Sequence, residues 1–148
     1  MQNSITFYTK FGWISAFERN GKICKVSFSK INRIKKSKVL NNLKKEFFYF
    51  FNKRKKTFKI PLQLEGNSIQ KKVFKELKKI NFGKTTSYGT IAKKFDISPR
   101  YVGKICSQNK LLFLIPCHRV IRSDGSMGGF SARGGIKLKK KLLNFEKL

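Results

Sequence analysis

The sequence predicts a two-part α/β (α+β) protein. A small antiparallel sheet with one helix spans residues 1–62. A mostly helical domain with a helix-turn-helix spans residues 67–148. Three observations carry this. Aromatic and β-branched runs flank an Asn-Gly pair near the N-terminus. Apolar residues then recur at helical spacing. Pro61 and Gly66 interrupt regular structure between the halves.

The element assignments follow in chain order. "SITFYTKF" and "GWISAFER" read as strands. Asn20-Gly21 suits a type I′ turn, which needs positive φ at both central positions. "KICKVSFS" returns as the partner strand, with Ile23 and Val26 breaking strict alternation. Ser37 can cap a helix in which Leu40, Leu43, Phe47, Phe50 and Phe51 share one face. "TFKIPLQLEGN" is the connector. Asn67 or Ser68 caps the next helix, with Ile69, Val73, Phe74, Leu77 and Ile80 as its apolar stripe and Gly83 at its left-handed end.

Thr86 or Ser87 caps a short helix, "DIS" forms a turn, and Ser98-Pro99 opens a second helix, since proline is favoured at the first helical position. Two short helices around a tight turn make a helix-turn-helix candidate. "LLFLI" reads as a buried strand or extended run. "RSDGSMGGFSARGG" is a loop, and "IKLKKKLLNFEKL" closes as a lysine-faced helix.

Composition narrows the partners. Thirty-five Lys plus Arg against seven Asp plus Glu give a net charge of +28. Codon bias accounts for part of the lysine excess but not for the scarcity of acid. A polyanion, nucleic acid first, is the expected partner. No apolar run is long enough to span a membrane, and the N-terminus lacks a signal-peptide layout, so a cytoplasmic location is expected. Three widely spaced cysteines argue for reduced thiols over a disulfide framework.

"LFLIPCHRVI", residues 112–121, sets Cys117 beside the only histidine, His118. A buried cysteine beside a chance histidine is the bland reading. A thiolate nucleophile with a base nearby is the sharper one. It follows a basic helix-turn-helix flanked by Lys93, Lys94, Arg100 and Lys104, with Arg100 in the first turn of the second helix. A recognition helix contacts DNA at its N-terminal residues. The combination suits a protein that docks on DNA and then does chemistry on it.

"IPCHRV" resembles the active-site signature of the O6-alkylguanine-DNA alkyltransferases, also called methylated-DNA–protein-cysteine methyltransferases. "FGKTTSYGTIA", "SPRYVGKICSQN" and "GSMGGFS…KLLNFE" resemble the family's other blocks, in the same order, over residues 69–146. The first sixty residues match only in style. The resemblance implies a ribonuclease-H-like N-terminal part and a winged-helix-like C-terminal part. It implies irreversible, single-turnover transfer of the alkyl group from O6-methylguanine in duplex DNA to Cys117 after base flipping. O4-methylthymine is a further candidate substrate. A monomer with no cofactor, no metal and no membrane partner is expected.

Roles carry over residue by residue. The resemblance makes Cys117 the nucleophile and His118 the base, acting through a water. Glu146 orients the histidine, and Asn109 organises the thiol and its turn. Arg100 fills the gap left by the flipped base, and Tyr88 presses on the target's 3′ phosphate. Ser87, Tyr101, Gly103 and Lys104 complete the DNA contacts. Met127, Gly128, Gly129, Phe130 and Ser131 line the guanine pocket. Cys24 and Cys106 are read as core residues, and Arg119 as a structural ion-pair partner.

The chain departs from the family in places. Phe130 stands where the family usually has tyrosine, which leaves loop backbone N–H groups to assist the leaving guanine. Ile69 and Phe74 replace an aromatic pair. The "SARGGIK" loop is about two residues longer than usual and the helix-turn-helix turn about two shorter. With one histidine, no structural zinc site of the kind some members carry is expected. Two rival readings stand beside repair. One is a non-repairing alkyl-lesion binder, against which Cys117 argues because such proteins replace the cysteine. The other is a helix-turn-helix regulator whose cysteine is a sensor or merely buried.

Overall fold

The computed structural model describes residues 2–130, 132 and 134–147. Met1, Ser131, Arg133 and Leu148 lie outside the described residues. The chain divides into two compact units, Met1–Leu64 and Glu65–Leu148.

In the first unit, β1 (Asn3–Thr9), β2 (Gly12–Arg19) and β3 (Lys22–Ser27) form an antiparallel sheet in that order. Asn20 (φ 54°) and Gly21 (φ 79°) both take positive φ, as the two-residue turn requires. The broken alternation of β3 is a β-bulge. Glu18 opposes Ile23 and Phe17 opposes Lys25, so Cys24 is the extra residue, and Ile23 and Cys24 are both buried.

Helix α1 (Lys38–Phe51) is capped by Ser37, whose hydroxyl accepts the Leu40 N–H at 3.2 Å. Its five predicted apolar residues are all buried and meet the inner face of the sheet, where Phe47 packs on Phe7, Phe51 and Phe58. Glu46 is also buried, paired with the Lys55 ammonium and the Lys59 N–H. The connector is partly structured, since Ile23 pairs with Leu62 through the Pro61 carbonyl and the Gln63 N–H.

The second unit holds α2 (Ser68–Leu77), α3 (Tyr88–Phe95), α4 (Pro99–Ser107) and α5 (Gly135–Glu146), with β4 (Thr86–Ser87) pairing parallel to β5 (Val120–Ile121). Asn67 caps α2 in a reciprocal box with Gln70. Gly83 has positive φ (80°) but does not cap α2, which ends on Lys78 in a right-handed conformation. The helix-turn-helix is α3–α4, capped by Ser87 and Ser98. Asp96 (φ 54°) supplies the left-handed residue in its turn. Helix α2 packs on α3 and α4.

Two expectations are corrected here. "LLFLI" is buried but is a turn rather than a strand. Phe113 sits at φ 69° and the Ile115 N–H returns to the Leu111 carbonyl. The lysines of α5 do not all face solvent, because Lys139 is fully buried. Among the described residues no helix is long and apolar enough to cross a membrane.

Phe47 is the hub of the first unit. Phe47→Ala is expected to cost about 3–5 kcal/mol through lost burial and the cavity left behind. Urea denaturation of the full chain, followed by circular dichroism, reads this as a lowered midpoint. A loss under about 1 kcal/mol would place the core elsewhere.

Candidate active site

Cys117 opens a short 3₁₀ turn, Cys117–Arg119, directly after Pro116. Neighbouring side chains therefore do not alternate as in a strand. Among the described residues, Cys117 and His118 share no direct hydrogen bond and instead belong to two adjacent networks.

The first network is centred on Asn109, at the end of the helix-turn-helix. Its Oδ1 accepts the Leu111 N–H at 2.9 Å. Its Nδ2 donates to the Ile115 carbonyl at 2.9 Å and to Cys117 Sγ at 3.2 Å. One amide thus closes the "LLFLI" turn and holds the sulfur at its end. All of these groups are buried, where a hydrogen bond to an otherwise unsatisfied group counts most.

The second network is centred on Glu146, in the last turn of α5. Its Oε2 lies 2.7 Å from His118 Nε2 and accepts Arg119 Nη2 at 3.0 Å. Its Oε1 accepts Arg119 Nε at 2.8 Å and the Gly83 N–H at 3.4 Å. Arg119 Nη1 also donates to the Ile80 carbonyl at 2.7 Å. Burial would push the Glu146 carboxyl up, but the His118 and Arg119 hydrogen bonds prevail and bring it to about 2. The carboxylate only accepts, so His118 carries its proton on Nε2, and Nδ1 is the basic nitrogen. Burial lowers the His118 pKa and keeps the imidazole neutral near pH 7.

Burial also raises the Cys117 thiol, outweighing the Asn109 hydrogen bond and the nearby Lys139 charge, both of which lower it. The resting sulfur is therefore protonated near neutral pH and needs a base before it can attack.

The thiol borders a cavity of about 720 Å³, which Arg100, Tyr88, Gly103, Gly128, Gly129 and Phe130 also line. Arg100 is exposed in the first turn of α4. Gly128 takes φ 69°, and a Cβ there would stand 2.8 Å from the Tyr88 ring, so only glycine lets the loop approach Tyr88 this closely. Ser87, Tyr101, Lys104 and Met127 do not line the cavity. Ser87 caps α3, Tyr101 and Lys104 sit elsewhere on α4, and Met127 borders a separate cavity near Glu146. Ser131 lies outside the described residues.

Residues 68–148 match the family model for 6-O-methylguanine DNA methyltransferase, DNA binding domain. The chain belongs to this methyltransferase family. A methylated-DNA–protein-cysteine methyltransferase from Metallosphaera sedula is 39% identical over 146 residues, covering 95% of this chain and 90% of the relative. The protein of that name from Methanocaldococcus vulcanius is 49% identical over 89 residues, covering 60% and 53%. The crystal structure of Mycobacterium tuberculosis O6-methylguanine methyltransferase superposes with a TM-score of 0.88 at 26% identity, over 99% of this chain and 93% of that one. The structure of M. tuberculosis OGT in complex with DNA gives 0.87, over 98% and 92%, at the same identity.

Within this family member the sequence reading missed two features of the site. Cys106, read as core, is buried yet lines the cavity that Cys117 borders. Lys139, read as one of a solvent-facing row, reaches inward instead. Its ammonium donates to the Met127 carbonyl at 2.5 Å, the Gly129 carbonyl at 3.2 Å and the Tyr88 hydroxyl at 3.3 Å, tying the glycine loop to α5 and the helix-turn-helix. Its position in α5, seven residues before Glu146, was the only available signal: two turns apart, the two share a helix face. Burial pushes its pKa down, and the same burial, with the neighbouring thiols, lifts Tyr88 to about 12. Arg119 is the ion-pair partner it was read as.

Both titrating partners in the Glu146 network make the fold acid-labile. The Glu146 pKa is depressed, so its contribution is present above about pH 4.5 and lost as pH falls towards 2, on the order of 3 kcal/mol in all. His118 is depressed below 6.5, so the unfolded chain takes up its proton first and stability begins to fall below that pH. Glu146→Gln should lower the pH 7 urea midpoint, because Arg119 loses its buried partner, and should flatten the loss between pH 4.5 and 2. An acid profile parallel to the unsubstituted protein's would detach Glu146 from that stability.

Proposed function

We propose that the protein repairs DNA by moving the alkyl group of O6-methylguanine onto Cys117, acting once and as a single copy. The observation that carries this reading is the position of Cys117 Sγ. It is held by Asn109 at the edge of a cavity whose other walls include the helix-turn-helix and the glycine loop.

A base in a duplex cannot reach such a site while stacked, so the nucleotide has to rotate out, at a cost of a few kcal/mol. Arg100 stands exposed at the cavity rim on the recognition helix, where its side chain can occupy the vacated space in the stack. Tyr88, held by Lys139 and packed under Gly128, presents a fixed ring where the backbone must turn. In this reading Lys104 and Tyr101 on α4 and Ser87, the cap of α3, contact phosphates.

With guanine in the cavity, the Cys117 proton passes to His118 Nδ1 through one bridging water. The imidazolium is then stabilised by Glu146, and Arg119 keeps that carboxylate ionised. The sulfur attacks the methyl carbon, an S–C bond forms, and the C–O6 bond breaks with its electron pair leaving on the guanine oxygen. Phe130 offers no hydroxyl to that oxygen, so backbone N–H groups of the loop take the part. The product thioether does not reverse. The reading needs no metal or cofactor. A DNA-binding protein that only recognises the lesion would not need a held thiol.

Mass spectrometry after incubation with O6-methylguanine duplex should show one added methyl, on Cys117 alone, and Cys117→Ser should abolish it. Methyl on Cys106 or Cys24 instead would overturn the assignment.

Arg100→Ala should slow repair of a paired lesion about tenfold or more while barely changing transfer from free O6-benzylguanine, which needs no flipping. Equal losses on both substrates would give Arg100 a structural role.

A further inference from the structure

Half of the net charge lies in the unit that lacks the helix-turn-helix. Residues 1–64 carry sixteen Lys and Arg against two Glu. Both glutamates are turned inward: Glu18 is 5% and Glu46 8% exposed. Glu18 accepts from Asn3 and the Gly21 N–H, and Glu46 pairs with Lys55 and the Lys59 N–H. Among the described residues, the surface of this unit shows cations and no exposed carboxylate.

Four aromatic rings are exposed among the described residues of this unit: Phe48 and Tyr49 belong to α1, and the other two stand on the sheet. Tyr8 and Trp13 are cross-strand partners of β1 and β2, with ring centroids 5.3 Å apart and planes at 72°. Strand alternation puts them on the outer face, opposite the buried Phe7 and Ile14. Tyr8 is 70% exposed and Trp13 37%. Lys30 lays its ammonium 4.7 Å from the Trp13 centroid, and on the same face Lys25 lies 5.7 Å from that of Phe17.

Exposed rings interleaved with ammonium groups on an otherwise acid-free surface are complementary to an unpaired polynucleotide. Bases stack on the rings, and the lysines, which leave an exposed ring at little cost, turn to the phosphates. We propose that the outer face of the N-terminal sheet, at Tyr8 and Trp13 with Lys25 and Lys30, binds single-stranded DNA. A duplex fits this face poorly, because its base faces are covered by their neighbours in the stack. The site shares no residue with the Cys117 cavity, and its readout does not depend on alkyl transfer.

Trp13 is the only tryptophan in the chain, so its fluorescence reports on this face alone. The full-length protein is titrated with an oligodeoxythymidine, an abasic strand of equal length and charge, the matching oligouridine, and phosphatidylserine vesicles. The oligodeoxythymidine should quench Trp13 and bind at least about tenfold more tightly than the abasic strand. Tyr8→Ala, a change at an exposed position, should weaken that binding roughly five- to hundredfold and leave transfer from duplex DNA unchanged. Equal binding of the abasic strand, unchanged affinity in Tyr8→Ala, or no quenching would overturn the site. Tighter binding of oligouridine, or stronger quenching by the vesicles, would overturn the choice of single-stranded DNA as its ligand.

Discussion

Glu146 brings two distant parts of the chain to one buried carboxylate: His118 and Arg119 from the 3₁₀ turn, and the Gly83 N–H from the loop after α2. A buried carboxylate without partners would be forced to take up a proton, and a buried guanidinium without one is costlier still. Each group is therefore affordable only while the others are in place. That mutual dependence docks α5 on the active-site turn. It also fixes the tautomer of His118 and points the basic nitrogen away from the carboxylate. The chemistry of the histidine is a by-product of satisfying a buried ion pair.

Electrostatics and packing pull the thiol in opposite directions. Burial raises Cys117, while the Asn109 amide and the Lys139 ammonium favour the thiolate without prevailing. A resting thiol is protected from the solvent and from adventitious oxidation, since the thiolate is the reactive form. Lys139 has a second, mechanical part. It gathers two loop carbonyls and a tyrosine hydroxyl, so a glycine-containing loop is given a defined shape.

Local patterns were readable because they are decided within a few residues. The Asn20-Gly21 turn, the Ser37 and Ser98 caps, and the apolar face of α1 all appear where their spacing put them. Where the spacing left a choice, the structure made it by side-chain reach: Asn67, and not Ser68, caps α2 because Gln70 can reciprocate. The reading failed where a tertiary partner overrides local preference. "LLFLI" has the composition of a strand, yet Asn109 offers it a donor and an acceptor that close a turn.

The sequence by itself determined the sheet-plus-helix beginning, the helix-turn-helix and the pairing of Cys117 with His118, since each rests on adjacent residues or one helical period. Which charges are buried was decided only by the tertiary structure. Lys139 and Glu46 are indistinguishable in sequence from the many solvated charges around them. Burying either of them depends on partners that lie up to fifty-one residues away, as Tyr88 does from Lys139, and that come within reach only when the chain has folded.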